Sequence, residues 1–149
     1  MIVIEPALID AIVGLTTEAL NGPTVLDGQG VTDATGDMVW IGWDPFSDES
    51  TRFTTDWAEV GANYGAAQTV EGDVNCSMWV GDGTTDAAEV RAKALAYMTD
   101  LGTAIRANPT LGIREVVWCA MGQTVWRQTQ YNAGAALHIS FAIHVNAFI

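Results

Sequence analysis

Between Ala135 and Phe148 the side chains alternate almost without interruption. Leu137, Ile139, Phe141, Ile143 and Val145 occupy one set of positions, and His138, Ser140, Ala142, His144 and Asn146 the other. Only a strand, whose side chains point to opposite faces with a period of two, gathers such a set on one side. At ~3.3 Å per residue the segment reaches about 45 Å, longer than most strands. Glu115 to Gln128, which carries Trp118 and Trp126, predicts a second long strand, and Tyr131-Asn132-Ala133-Gly134 supplies the turn chemistry between the two. A hairpin of this length is expected to project past a small sheet. Being marginal alone in water, it would lie against another subunit. The alternative is that a bulge near Gly122 breaks one arm.

Upstream, Leu8, Ile12, Leu15 and Ala19 are spaced by four, three and four, which predicts an amphipathic helix starting at Pro6 and stopped by Asn21-Gly22-Pro23. Thr24 to Asp27 reads as a short strand and Gly28 to Gly36 as a polar loop. Asp37 to Trp43 reads as a strand with Val39, Ile41 and Trp43 on one face and Met38 and Trp40 on the other, so that both faces are covered. Val70 to Val80 alternates again: Val74, Cys76, Met78 and Val80 are apolar, while Glu71, Asp73, Asn75 and Ser77 are polar. Gly81-Asp82-Gly83-Thr84-Thr85 then turns into a long helix, with Asp86 as N-cap and Glu89 three residues on. Its buried face is expected to be Ala87, Val90, Ala94, Met98, Leu101 and Ile105 over about 33 Å, and Asn108-Pro109 stops it.

Asp44 to Gln68 carries no period, and loops this long are usually functional or mobile. A short helix is expected within Thr55 to Ala66. Phe46, Phe53, Trp57 and Tyr64 either form a satellite core there or face a partner, and Phe46, Phe53 and Trp57 are the candidate contact residues. With no βαβ alternation, repeat or linker, the 149 residues predict one α+β domain spanning 1–149. Its sheet is antiparallel or mixed, with two helices on one face and a long C-terminal hairpin.

Composition narrows the function. Hydrophobic residues make up 49% of the chain, within the globular range. Six basic residues, scattered along the sequence, face eighteen acidic ones for a formal charge of -12. Direct binding to DNA is disfavoured because phosphate counterions must be replaced by cations, and an anionic membrane surface would repel the chain. No apolar run approaches the ~20 residues of a spanning helix, and the first residues lack the basic stretch of a signal peptide. Cys76 and Cys119 lie far apart in apolar strands and read as small core residues in a reducing compartment.

Candidate chemistry is sparse, and no catalytic, cofactor or metal site is expected. His138 and His144 share a strand face but sit about 20 Å apart, too far to hold one metal. A Cys119–His138 pair across the hairpin has no orienting acid or oxyanion turn. Gly81-Asp82-Gly83 lacks the further glycine and the lysine of a phosphate loop. Asp27, Asp33 and Asp37 border a glycine-rich loop without calcium-loop spacing. Six tryptophans without a basic groove do not make a single-stranded nucleic-acid platform.

Several segments in order carry a family resemblance. They are the helix ending at Asn21-Gly22; Val25-Leu26-Asp27-Gly28 followed by Gly36-Asp37-Met38-Val39-Trp40-Ile41-Gly42; and Val74 to Gly83 running into the Ala-rich helix with Arg91. Asn108-Pro109-Thr110-Leu111-Gly112 and the closing strands through Gly134-Ala135-Ala136 to Val145 complete the set. This arrangement resembles the tail terminator proteins of long-tailed (siphovirus-type) bacteriophages, with Asp44 to Gln68 outside it. The resemblance implies a virion structural protein at the head-proximal end of the tail, assembled in the host cytoplasm. Such proteins form a six-membered ring on the last ring of tail-tube protein, stop its polymerisation, and offer a surface to the head connector. DNA would pass through the lumen without specific binding. Six copies would carry a formal charge near -72, six times -12, which would keep DNA off the wall. A neck or head-completion protein is the alternative within the same particle, and an acidic ligand-binding module the alternative outside it.

Overall fold

The alternating C-terminal segment lies inside the sheet, paired on both sides. The computed structural model describes residues 4–30, 36–46, 56–58, 69–81, 83, 85–131 and 134–148. In chain order its elements are α1 (Glu5–Ala19), β1 (Thr24–Asp27), β2 (Met38–Ile41), β3 (Asp56–Ala58), β4 (Thr69–Val80), α2 (Ala87–Ala107), β5 (Val116–Tyr131) and β6 (Gly134–Phe148). The sheet order is β1-β2-β4-β6-β5, with β3 paired to the start of β4. β1 and β2 are parallel and every other pair is antiparallel, so the sheet is mixed.

β4 runs beside β6 from Thr69↔Phe148 to Val80↔Leu137. The expected overhang of the hairpin is therefore absent: β6 is backed along its length, and β5 becomes the margin of the sheet. β5 is irregular in two places, between Val116 and Trp118 and between Met121 and Thr124. The second is the bulge expected near Gly122. A Cβ on Gly122 would lie 3.2 Å from the Ala142 carbonyl oxygen, so glycine lets the bulged backbone approach its partner.

Strand directions correct a second expectation. β4 and β5 are both antiparallel to β6, so they run the same way, and α2 crosses between them with β6 inserted. The chain thus contains a split crossover unit. Read linearly it is strand, helix, strand, strand, which hides the parallel pair because the inserted strand comes last.

Both helices cover one sheet face. Leu8, Ile12 and Leu20 of the α1 segment join Val90, Ala94, Tyr97, Met98, Leu101 and Ile105 of α2 over Val39, Ile41, Val74, Cys76, Met78, Ile139 and Ile143 in a single core. Fully burying an aliphatic side chain of this size contributes about 1.5–3 kcal/mol. On α1 the innermost stripe is Leu8, Ile12 and Thr16; the expected Leu15 and Ala19 are only partly buried. Thr16 is accepted in the core because its hydroxyl donates to the Ile12 carbonyl at 2.7 Å. Asp86 caps α2 as expected, accepting from the amides of Ala88 and Glu89. β2 stops at Ile41, two residues early, because Gly42 turns at φ +82°. Trp43 consequently leaves the Val39–Ile41 face and meets Trp40 edge-on, with ring centroids 5.4 Å apart. Within the segment expected to hold a short helix, residues 56–58 form strand β3; the remainder lies outside the described residues.

Candidate functional site: an uncovered sheet face and its margin

The sheet face opposite the helices carries the even positions of β6. His138 and Arg127 are cross-strand partners there, as are His144 and Asp73, and Asn146 and Glu71. His144 Nδ1 lies 2.8 Å from Asp73 Oδ1, and Asn146 donates to Glu71 at 2.8 Å. Trp118 tilts over His144 at 5.4 Å. The two histidines therefore have separate surroundings, as their spacing requires.

Phe46 folds onto this face. Its ring meets the His138 imidazole edge-on at 4.5 Å, and the Arg127 guanidinium carbon sits 4.3 Å from its centroid. The backbone is held by Asp44, whose buried carboxylate accepts from the Phe46 amide at 3.1 Å. Arg127 also donates to Ser140 at 2.7 Å. Both His138 ring nitrogens are buried with no hydrogen-bond partner among the described residues. Burial pushes the imidazole below its usual 6.5; the Asp44 carboxylate pulls it up and the Arg127 cation pushes it down. Phe46, a candidate contact residue, keeps 58% exposure despite this anchoring. Of the other two, Trp57 lies in β3, where its backbone pairs with Val70, and Phe53 lies outside the described residues.

Beside this cluster is a cleft of about 270 Å³ lined by Asp44, Asp73, Asn75, Gln123, Val125, Ser140, Phe141 and Ala142. Its polar groups are carboxylates, amides and one hydroxyl. Ser140, the hydroxyl in it, is engaged by Arg127. Cys119 does not join His138: it registers with Val145 on the helix-facing side, and the sheet separates the two. Burial pushes the Cys119 thiol up to about 11 and the Cys76 thiol up to about 12, away from nucleophilic use.

Asp37, weighed as a calcium ligand, has a different task. Its Oδ1 accepts from the Gly81 amide at 3.0 Å, while Oδ2 accepts from the Tyr97 hydroxyl at 2.8 Å and lies 2.7 Å from Lys93 Nζ. The carboxylate ties β2, the turn after β4, and α2 together. It also takes the glycine amide that a phosphate cradle would need. Asp33 lies outside the described residues, and among those described no group of three metal-ligating side chains forms. Among the described residues no helix is long and apolar enough to cross a membrane.

The margin of the sheet is the other prominent surface. Val117, Trp118, Val125 and Trp126 on β5 are 38–41% exposed, and Phe148 and Leu95 flank them at 45% and 58%. Sequence periodicity missed this margin because the first irregularity leaves adjacent Val117 and Trp118 both in contact with solvent, and because at the edge of the sheet Val125 and Trp126 are exposed on both faces. The visible signal was the loss of clean alternation in β5 compared with β6.

No family model matches the chain, and no curated protein sequence matches it. Among solved structures, a chain from the virion of a native gene transfer agent particle has the same fold. The TM-score is 0.57 at 14% identity, over 93% of this chain and 84% of that one. At that identity the likeness is one of fold.

Proposed function

We propose that the chain is a structural protein of a phage-type virion and, within it, a tail terminator. The observation that supports this most is the fold likeness to a gene transfer agent virion chain over nearly the whole length. The long uncovered margin of β5 agrees with a subunit that finishes burying its surface only in an assembly. In this reading six copies close into a ring on the last ring of tail-tube protein, end its growth and present a face to the head connector. DNA passes through a lumen made electronegative by the -12 charge of each subunit. Phe46, Phe53 and Trp57 contribute to the contacts with neighbouring proteins; the exposure of Phe46 supports its inclusion.

The decisive experiment mixes the protein with a purified tail-tube protein from the same genome and images the product by negative stain. Capped tubes of limited length are expected. Binding to filled heads in place of tubes would identify a neck or head-completion protein, and binding to neither would remove the virion reading altogether.

A further inference from the structure

Charge is divided along this chain in a way that composition conceals. Fifteen of the eighteen acidic residues but one of the six basic residues lie within residues 1–86, giving that part a formal charge of -14. Residues 87–149 hold three acids and five bases, for +2. The sheet order turns this sequence asymmetry into a spatial one. β1 and β5 are its opposite margins, with α1 packed at the β1 side and α2 over β5 and β6. Arg91, Arg106 and Arg114, scattered in the sequence, are thus brought to the β5 side.

At the β5 margin, Arg91 donates to Gln128 of β5 at 2.9 Å. A Cβ at Gly102 would lie 3.8 Å from both Arg106 Nη1 and Met121 Cγ, which places that arginine beside β5 as well. Residues 91, 95, 102 and 106 are spaced by four, seven and four, so Leu95 lies on the same flank of α2. Arg114 sits in the turn that enters β5. Among the described residues, Arg91 and Arg106 bond neutral oxygens, those of Gln128 and Thr103. Along β5, between Arg114 and the Gln128 that Arg91 bonds, lie the exposed Trp118, Val125 and Trp126. β5 contains neither lysine nor proline; Arg127 and the two irregularities are what guard this sheet margin. The opposite margin exposes Asp10, Glu18 and Asp27, and no basic residue precedes Arg52.

We infer that the arginine-flanked β5 margin docks on the acidic α1–β1 margin of a second copy of this chain, head to tail. The two surfaces are complementary in charge, and they are different surfaces of one molecule. Each copy in a dimer therefore still offers one of them, and association continues until the rotation closes a ring. The apolar side chains between the arginines are covered in the joint, while the charges set its polarity. This deepens the terminator reading and rests on it only for the ring's place in the particle.

The test is a charge exchange. One variant carries Arg91→Glu with Arg106→Glu, a second carries Glu18→Lys with Asp27→Lys, and a third carries all four; circular dichroism checks that each folds. Sedimentation velocity follows association at low and high salt up to millimolar protein. The wild type is expected to associate more strongly at low salt, each two-site variant at least tenfold more weakly. The four-site variant should recover association, and an equimolar mixture of the two-site variants should associate past the heterodimer into alternating copies, because each variant offers two like-charged margins to the other's two opposite ones. A wild type that stays monomeric throughout, or two-site variants that associate as it does, would overturn the proposal. Tube capping is scored separately. Association without capping would sink the terminator reading alone, whereas capping unaffected by the exchanges would sink the joint alone.

Discussion

The Tyr97 hydroxyl donates to Asp37 Oδ2 at 2.8 Å, and this contact fixes the middle of α2 to the residue that precedes β2. Lys93, one turn earlier on the helix, reaches the same oxygen, and the Gly81 amide reaches the other. Gly22 completes the packing: at φ +122° it ends the α1 segment where a Cβ would come within 3.0 Å of the Tyr97 oxygen. One carboxylate therefore sets how α2 sits against β2 and the turn after β4.

That arrangement ranks three substitutions. Tyr97→Phe removes a hydrogen bond to a buried charged acceptor and is expected to cost about 1.5–3 kcal/mol. Asp37→Ala leaves the Gly81 amide and the tyrosine hydroxyl without their acceptor and is expected to cost more, about 3–5 kcal/mol. Lys93 is 38% exposed, so Lys93→Met should cost no more than about 1 kcal/mol. At ~2–4 °C per kcal/mol for a domain of this size, thermal melts resolve the order. Asp37→Ala melting within a degree of wild type would show that the carboxylate is not structural.

How much of this was legible in the sequence depends on the range of the interaction. The strand periods of β4 and β6, the helix stripe from Val90 to Ile105 and the Asp86 cap are local patterns, and the structure reproduces them. The sequence does not say which strands are neighbours. β6, last in the chain, inserts between β4 and β5, so the split crossover and the margin position of β5 could not be read from order alone. Ser77, placed on the polar face, is fully buried there because Trp43 folds over and its carbonyl accepts from the serine hydroxyl at 2.9 Å. Asp37 beside a glycine-rich loop looked like a cation ligand, since its amide, hydroxyl and ammonium partners lie forty-four or more residues away.

The bulge in β5 makes a second prediction. The atom nearest to a Cβ at Gly122 belongs to the backbone of Ala142, which cannot rotate away as a side chain would. Gly122→Val is expected to cost about 1–3 kcal/mol by overpacking. The loss should be local, with faster hydrogen exchange in β5 around Met121–Thr124 and little change in β4. Uniform acceleration across the sheet would argue against a bulge-specific role.

Thiol reactivity gives a third. With Cys76 pushed up to about 12, its thiolate fraction at pH 8 is on the order of a thousandfold below that of a free cysteine near 8.5. Cys119, at about 11, is suppressed somewhat less. Both side chains are buried, so alkylation should await opening of the fold. In native protein at pH 8, Cys119 should react before Cys76, and both should react fully in denaturant. Rapid native labelling of Cys76 would contradict its place in the core.

His138 carries the fourth prediction, and its sign follows from burial. The imidazole is held below its usual 6.5 in the fold, so the unfolded chain binds this proton more tightly. The stabilisation from keeping the ring neutral is complete above about pH 6.5 and is lost as pH falls through the folded-state value. His138→Phe removes both unpartnered nitrogens and should retain the edge-on packing against Phe46. It should therefore stabilise the protein more at pH 5.5 than at pH 7.5, flattening the acid side of the stability curve. Phe46→Ala, which opens the ring to water, should flatten it in part by letting the histidine titrate nearer its usual range. Denaturant melts at the two pH values measure both effects. Equal pH slopes for wild type and His138→Phe would show that the imidazole does not feel the burial assigned to it.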